Sequence, residues 1–275
     1  PTDFSKESLN AIDYALNLYL GTAAEFHLMH VYAPPAYRSE YLVHSPAQVG
    51  LGDSYQNDCY EKMGLLKERL AKKYSAEDYK IRTHCIFNTL EEAISDLVAS
   101  EKTSSIIMGS RGTSMTKGVL MGSNTIRAIK SSNCPILVIP ASHKFEEPRE
   151  IAFVTDFKRN YTADGLEPLV RLLAESNSSV RVMHINEEKR LGQFQESNRH
   201  TLQQYLRAYK STWHWMPKFA SKTEVIHEFL DELKIDLLVM VNYKHGFVEK
   251  LTREPVIKKI SFAVHLPFLI LPDSD

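Results

Sequence analysis

The 275-residue sequence has few of the features that mark secreted, membrane-spanning or nucleic-acid-binding proteins. Its three cysteines, Cys59, Cys85 and Cys134, show no C-x-x-C spacing, so free and mostly buried thiols are expected. No apolar run approaches the roughly 18 residues of a spanning helix, and the first residues do not resemble a signal peptide. Lys and Arg number 33 against 34 Asp and Glu, so no basic excess is available for nucleic-acid phosphates. A soluble, cytoplasmic protein without nucleic-acid or membrane partners is therefore expected.

Metal and catalytic motifs are also lacking. The 11 histidines form no H-E-x-x-H or comparable cluster, so no metal site built from side chains is predicted. No set of residues supplies an obvious general base beside a nucleophile. The sequence therefore gives no catalytic residue.

Apolar strand-like runs do alternate with amphipathic helical segments along the chain. Residues 26–32, 81–87, 105–108 and 135–139 predict buried strands, and Thr89 with Glu92 forms a T-x-x-E capping box. Strands that are apolar on both faces indicate an α/β fold, with a parallel sheet covered by helices on each side. Ligands of such sheets bind at the carboxyl ends of the strands.

The second part of the chain repeats the first. VTDFKRN at residues 154–160 matches PTDFSKE at residues 1–7, VMHIN matches LMHVY, and PFLILP matches PILVIP. A polar linker, ASHKFEEPRE, separates the two parts. The sequence thus predicts two tandem copies, residues 1–141 and 149–275, each with an open five-stranded parallel sheet.

A glycine-rich stretch at residues 106–125 follows a predicted strand and leads into a predicted helix. Gly109, Gly112 and Gly122 lie at a strand-to-helix crossing, where a loop without side chains lets phosphate oxygens reach free helical N–H groups. Ser123 and Thr125 would add hydroxyl donors at the same place. Gly122 is expected to hold backbone angles that only glycine adopts, so a bulky replacement should abolish phosphate binding. Taken singly, each glycine could merely mark a turn.

The spacing G-x2-G-x9-G-Ser resembles the nucleotide loop of the ATP-binding branch of the universal stress protein family. The resemblance extends over both copies, and it implies a Rossmann-like fold related to the adenine nucleotide alpha-hydrolases. It implies that ATP, with Mg or Mn held by the phosphates, occupies the first copy. In the family the aspartate of the PTDFS segment lines the adenine side, and the residue at the second strand end packs on adenine. The implied cofactor-binding residues are Pro1, Asp3, Val31, Gly109, Arg111, Gly112, Gly122, Ser123, Asn124 and Thr125.

The second copy departs from this pattern at every position of the loop. Gapless counting places Val241, Lys244, Glu254 and Pro255 where the first copy has Gly109, Gly112, Gly122 and Ser123. A glutamate at the helix start and a proline without an N–H group both oppose phosphate binding. Asp156 is retained, but the second copy is expected to bind no nucleotide.

The resemblance implies a nucleotide-dependent stress-response or signalling module with an unknown protein partner. Two alternatives remain open: a nucleotide-free assembly module, and a slow ATPase or adenylating enzyme of the alpha-hydrolase class. The two copies are expected to form an intrachain pseudo-dimer through PILVIP and PFLILP, because an apolar edge strand invites pairing. Association of whole chains into a homodimer is left open.

Overall fold

The computed structural model describes residues 1–32, 51–74, 79–110, 121–186, 190–242 and 265–273. Helices and strands alternate along most of this length, as the apolar periodicity predicts. The helices are α1 (Lys6–Leu18), α2 (Leu51–Lys73), α3 (Leu90–Glu101), α4 (Ser123–Ser131), α5 (Ala163–Glu175), α6 (Gln193–Leu206) and α7 (Lys222–Glu232). The strands are β1 (Ala24–Tyr32), β2 (Tyr79–Phe87), β3 (Ile106–Gly109), β4 (Ile136–Ile139), β5 (Glu150–Val154), β6 (Ser179–Asn186), β7 (Ser211–Pro217), β8 (Leu237–Asn242) and β9 (Phe268–Pro272).

The strands form a two-stranded sheet, β1-β2, and a seven-stranded sheet in the order β3-β4-β9-β8-β5-β6-β7. All neighbours are parallel except β4 and β9. The expected α/β class with mostly parallel strands is therefore confirmed. The distribution of strands differs from two separate five-stranded sheets, because the described strands of the first half are split into two pairs and one of these pairs extends the second sheet.

The two halves are joined through β4 and β9. These strands run antiparallel, with Ile136 opposite Ile270 and Leu137 opposite Leu269. All four side chains are buried. Each strand would otherwise present an apolar edge, so pairing them satisfies backbone groups and covers the apolar side chains at once. The expected pairing of PILVIP with PFLILP within one chain is confirmed.

Local capping chemistry fixes several helix starts. The Ser5 hydroxyl accepts a hydrogen bond from the Ser8 N–H group at the start of α1, and Thr89 accepts from Glu92 N–H at the start of α3. At the start of α7, Ser221 and Glu224 form a complete capping box. Each cap satisfies N–H groups that have no partner inside the helix.

A disulfide bond joins Cys59 of α2 to Cys85 of β2, so the expectation of three free thiols is wrong for this pair. The two cysteines are 26 residues apart, and they meet because α2 packs across β1 and β2. Cys134 is a free, buried thiol, as expected, and burial raises its pKa to about 11.

Reducing the disulfide is expected to lower the stability of the folded chain by about 3 kcal/mol, because the cross-link restricts the unfolded chain over a loop of this length. Thermal unfolding of the Cys85→Ser variant, with and without dithiothreitol, measures the effect. Cys85→Ser should unfold at a lower temperature than the wild type and should be insensitive to the reductant. Cys134→Ala is the control, since it should keep the response to reductant; a wild-type melting temperature unchanged by reductant would contradict the cross-link.

The segment STWHWMPKF contains β7, which pairs with β6 at the end of the seven-stranded sheet. Trp213 is partly buried against the core that includes Phe157, whereas Trp215 remains exposed.

Of the helices in the described ranges, none combines the length and apolar character needed to cross a bilayer.

Candidate functional site

The segment that follows Pro1 forms a tight loop against the end of β1. Thr2 N–H donates to the Met29 carbonyl at 2.7 Å, and His30 Nδ1 lies 2.7 Å from the Thr2 carbonyl oxygen. The Asp3 carboxylate accepts from Ser5 N–H at 3.1 Å and from the Ser5 hydroxyl at 2.5 Å. These bonds hold Asp3 at the carboxyl end of β1, directly before helix α1.

The second half builds the same loop with the same contacts. Thr155 N–H donates to the Met183 carbonyl at 3.0 Å, and His184 Nδ1 lies 3.0 Å from the Thr155 carbonyl oxygen. Phe4 and Phe157 both have positive φ angles, 62° and 56°, and each ring packs on the histidine of its own half. The repeated T-D-F motif therefore specifies a repeated local geometry.

The glycine-rich stretch begins and ends at a compact strand-to-helix junction. Ser110 N–H donates to the Ile139 carbonyl at 2.8 Å, and Gly122 N–H donates to the Ser110 carbonyl at 2.6 Å. The Thr125 hydroxyl donates to the Gly109 carbonyl at 3.1 Å. These bonds bring the first turn of α4 against the end of β3, although residues 111–120 intervene in the sequence.

Gly122 is the N-cap residue of α4, with φ −74° and ψ 156°. This is ordinary extended backbone, so the expected requirement for angles restricted to glycine is wrong. Its lack of a side chain leaves the N–H groups of the first turn without a side-chain cap. The first turn carries no acidic residue, so its positive dipole end is not offset there.

The predicted hydroxyl donors at this helix start differ in exposure. Ser123 and Asn124 are exposed, and the Asn124 side-chain oxygen accepts from Arg127 at 2.6 Å. Thr125 is buried, with 2% of its surface exposed, and its hydroxyl is used in the bond to Gly109. Thr125 therefore ties α4 to β3 and is not free to serve as an additional donor to a ligand.

Apolar packing connects the two parts of the candidate site. Met108 of β3, Met121 beside Gly122, and Met29 of β1 belong to one buried cluster, and Val31 packs against it. The end of β1, the end of β3 and the start of α4 therefore contribute to the same core. Gly109 and Gly122 meet at the junction of β3 and α4, Asp3 lies beside β1, and Arg111 and Gly112 lie outside the described residues.

Two residues at the site were not predicted from sequence. His30 supports the Thr2 carbonyl, and Ser110 supplies the carbonyl that anchors Gly122. The histidine could have been found, because LMHVY and VMHIN repeat it at the same position. Ser110 carries no such signal, since its contribution is a backbone atom.

In the second half, side chains of α6 hold the T-D-F loop. Gln195 of α6 donates to the Asp156 carbonyl at 2.8 Å, and Asn198 donates to the Phe157 carbonyl at 3.0 Å. The Tyr161 hydroxyl forms a hydrogen bond with Thr155, and burial raises the pKa of Tyr161 well above its ordinary value. Val241 stands at the end of β8, where Gly109 ends β3. The remaining predicted loop positions, Lys244, Glu254 and Pro255, lie outside the described residues.

The fold and the sequence are similar to those of known proteins. Over 147 residues the chain is 28% identical to universal stress protein MJ0577 of Methanocaldococcus jannaschii. This alignment covers 50% of the present chain and 91% of the relative. Over 151 residues it is 32% identical to universal stress protein MJ0531 of the same organism, covering 52% of this chain and 81% of the relative. The crystal structure of a universal stress protein from Archaeoglobus fulgidus matches 100% of this chain and 95% of its own, with a TM-score of 0.68 and 16% identity.

Each curated relative thus corresponds to about half of the chain, which is consistent with a tandem arrangement. The model of the universal stress protein family matches residues 1–140, the half that contains the glycine-rich stretch. The chain therefore belongs to the universal stress protein family.

Proposed function

We propose that the first half binds one molecule of ATP, and that the chain acts as a nucleotide-dependent stress-response or signalling module. The observation that carries this proposal is the start of α4 beside the end of β3, where the glycine N-cap has no side chain to cap the helical N–H groups and the described residues supply no other cap. Such a terminus attracts anions through its free donors and its dipole. The spacing of the glycines resembles the family's nucleotide loop, which supports a nucleotide phosphate as that anion.

The phosphates would approach the N–H groups of the first turn of α4, with the exposed Ser123 hydroxyl and Asn124 amide at the same end. Gly109, Arg111 and Gly112 complete the proposed loop, and Arg111 adds the positive charge that a triphosphate requires. Mg²⁺ or Mn²⁺ would be held by the phosphate oxygens, because both cations prefer oxygen ligands. Thr125 serves the site indirectly by fixing the junction.

The adenine end would lie between Asp3 and Val31. Asp3 is held by the Ser5 bonds and Val31 by the apolar cluster, so both are positioned before a ligand arrives. A site of this kind loses little entropy on binding, because its groups are already ordered. Pro1 belongs to the same end of the site through the Thr2 bond to β1.

The second half is proposed to remain without nucleotide. The sequence difference supports this, since Val241, Lys244, Glu254 and Pro255 replace the loop residues of the first half, and Gln195 and Asn198 of α6 bond to the T-D-F loop. The half therefore has a structural or regulatory part in this proposal, with the joint between β4 and β9 as its connection to the ATP site.

Isothermal titration calorimetry of the full chain with ATP and Mg²⁺ should give a stoichiometry of one. Mass analysis of small molecules released by heat from the purified protein provides a second measurement. Release of ATP supports the proposal, while an adenylated compound would instead indicate an adenylating enzyme. Absence of binding and of released nucleotide would favour a nucleotide-free assembly module, and two bound nucleotides per chain would refute the empty second half.

Measuring the ADP produced shows whether the protein hydrolyses ATP or only binds it. No described group stands as a general base beside the proposed phosphate position, so hydrolysis is expected to be slow at most. A coupled assay for ADP, run with the calorimetry sample, tests this expectation directly. Turnover at the rate of ordinary enzymes, about 10 per second, would contradict a signalling role based on binding.

A further inference from the structure

The disulfide bond between Cys59 and Cys85 lies next to the histidine that supports the T-D-F loop of the first half, residues 2–4. In the β1–β2 pairing, Cys85 stands opposite His30, whose Nδ1 atom bonds to a carbonyl oxygen of that loop. The His30 ring packs on Phe4, with ring centroids 4.7 Å apart. The bond is therefore connected to the loop through a single side chain.

Helix α2 carries the other sulfur and packs on the same loop. Cys59 and Met63 of α2 belong to one buried cluster, and Phe4 packs against that cluster. The Lys62 ammonium lies 6.0 Å from the centre of the Phe4 ring, at the distance of a cation–π contact. The disulfide thus ties α2 to the sheet where the helix contacts the T-D-F loop.

The second half holds its equivalent loop without a disulfide. Trp215 stands opposite His184 in the β6–β7 pairing, so it takes the position that Cys85 has in the first half. The Trp215 ring lies 5.3 Å from the ring of His184 and 6.0 Å from that of Phe157. Two side chains of α6 donate hydrogen bonds to the loop. The fold therefore does not require a covalent bond here, and the first half is expected to stay folded when its disulfide is reduced.

The two sulfur atoms differ in access to solvent. Cys59 is buried, with 1% of its surface exposed, whereas Cys85 is partly exposed. A thiolate from solvent is expected to attack Cys85 Sγ, which forms a mixed disulfide there and releases Cys59 as a thiolate that takes up a proton. A second thiol then attacks the outer sulfur of the mixed disulfide and frees Cys85. Two protein thiols and one oxidised disulfide of the reductant are formed.

We propose that the Cys59–Cys85 bond is a thiol–disulfide exchange site whose redox state controls how firmly α2 holds the T-D-F loop of the first half. A dithiol reduces it, and a small disulfide such as oxidised glutathione restores it. After reduction Cys59 remains a small apolar group in its cluster, so α2 stays packed. The helix opens more often, however, because packing alone then connects it to β2.

The hydrogen bonds inside the two T-D-F loops give a matched pair of probes. In the first half, Phe4 N–H donates to the Thr2 hydroxyl at 3.0 Å. In the second half, Phe157 N–H donates to the Thr155 hydroxyl, also at 3.0 Å. The second loop lies far from the disulfide in the sequence and contacts α6, so its amides report on the whole fold without the proposed control.

Hydrogen exchange of the full chain, followed by mass spectrometry before and after treatment with dithiothreitol, tests the proposal. Peptides covering α2 and residues 1–8 should exchange about tenfold faster after reduction. Peptides covering α6 and residues 155–162 should be unchanged. Oxidised glutathione should restore the slow exchange, and alkylation should count two additional thiols in the reduced state only.

Two variants separate the bond from other effects of the reductant. Cys59→Ala should show the fast exchange of the reduced protein and should not respond to dithiothreitol, while Cys134→Ala should respond as the wild type does. The wild-type comparison decides the matter even where Cys59→Ala fails to fold. Equal acceleration in both halves would overturn the proposal, because the bond would then only stabilise the whole fold. So would reduction without faster exchange in residues 1–8, or a bond that dithiothreitol does not open in the folded chain.

Control of the loop has a consequence for nucleotide that rests on the proposed function. Asp3 belongs to this loop, so reduction should weaken ATP binding about fivefold, within the ordinary range of coupling between sites. Calorimetry with ATP and Mg²⁺ on oxidised and reduced protein measures the change. No ATP binding in either state would refute the proposed function, whereas the exchange results, which need no nucleotide, would still decide the redox proposal. Equal affinities in the two states would overturn control of the nucleotide site.

Discussion

Replacing Gly122 with valine is expected to weaken ATP binding by about 100-fold or more, equivalent to about 2.8 kcal/mol. The valine side chain would stand at the N-cap of α4, where phosphate oxygens must approach the open N–H groups. The backbone angles of Gly122 are available to valine, so backbone strain is not expected to cause the loss. Calorimetric titration with ATP and Mg²⁺, together with a melting curve of the variant, measures both quantities.

Gly192→Val is the control for the effects of helix capping and backbone conformation. Gly192 is also a glycine N-cap in extended conformation, with φ −68° and ψ 162°, at the start of α6 in the second half. A Cβ atom there would meet Gln195 Oε1 at 3.6 Å, an ordinary contact. The control should therefore share any capping penalty, a few tenths to about 1 kcal/mol, without affecting ATP affinity. Unchanged ATP affinity in Gly122→Val, or equal losses in both variants, would refute the proposed phosphate position.

Truncating Phe268 to alanine should destabilise the fold by about 4 kcal/mol. Phe268 begins β9, where it lies opposite Val138 of the first half and Leu238 of the second. Only 2% of its surface is exposed, so alanine would leave a cavity at the joint between the halves. The melting temperature should fall by about 10 °C, measured by circular dichroism.

Phe219→Ala is the control for this second variant. Phe219 is 61% exposed, so its truncation should change the free energy of unfolding by less than about 0.5 kcal/mol. A loss below about 1 kcal/mol in Phe268→Ala would show that the joint contributes little to folding. Loss of the first-half ATP site in Phe268→Ala below the melting temperature would be a separate finding, since Phe268 is not proposed to contact nucleotide.

Short-range sequence signals predicted much of the fold. The apolar runs predicted strands, and Thr89 with Glu92 predicted the start of α3, because a cap or a strand period depends on residues within about four positions. The repeated apolar segments PILVIP and PFLILP also predicted that the two halves pair through these strands. That joint was predictable because an apolar edge has few alternatives to pairing with its own copy.

The sequence located the junction of β3 and α4, but it did not give the contacts that each group makes there. The glycine spacing located the start of α4. In the structure, however, the Thr125 hydroxyl donates to the Gly109 carbonyl, and Gly122 has ordinary backbone angles. Hydroxyl and glycine residues have several common uses at a helix start, and sequence alone does not select among them. The contribution of Ser110 was hidden for a related reason, because it is made by a backbone carbonyl.

The sequence by itself determined the family, the α/β class, the tandem repeat and the place of the glycine-rich junction, since all of these are carried by local patterns along the chain. Only the tertiary structure decided that Cys59 meets Cys85, and that Gln195 of α6 donates to the backbone carbonyl of Asp156. Each of these depends on which distant segments pack together. That choice is made by the burial of apolar surface across the whole chain, and it is not encoded in the spacing of neighbouring residues.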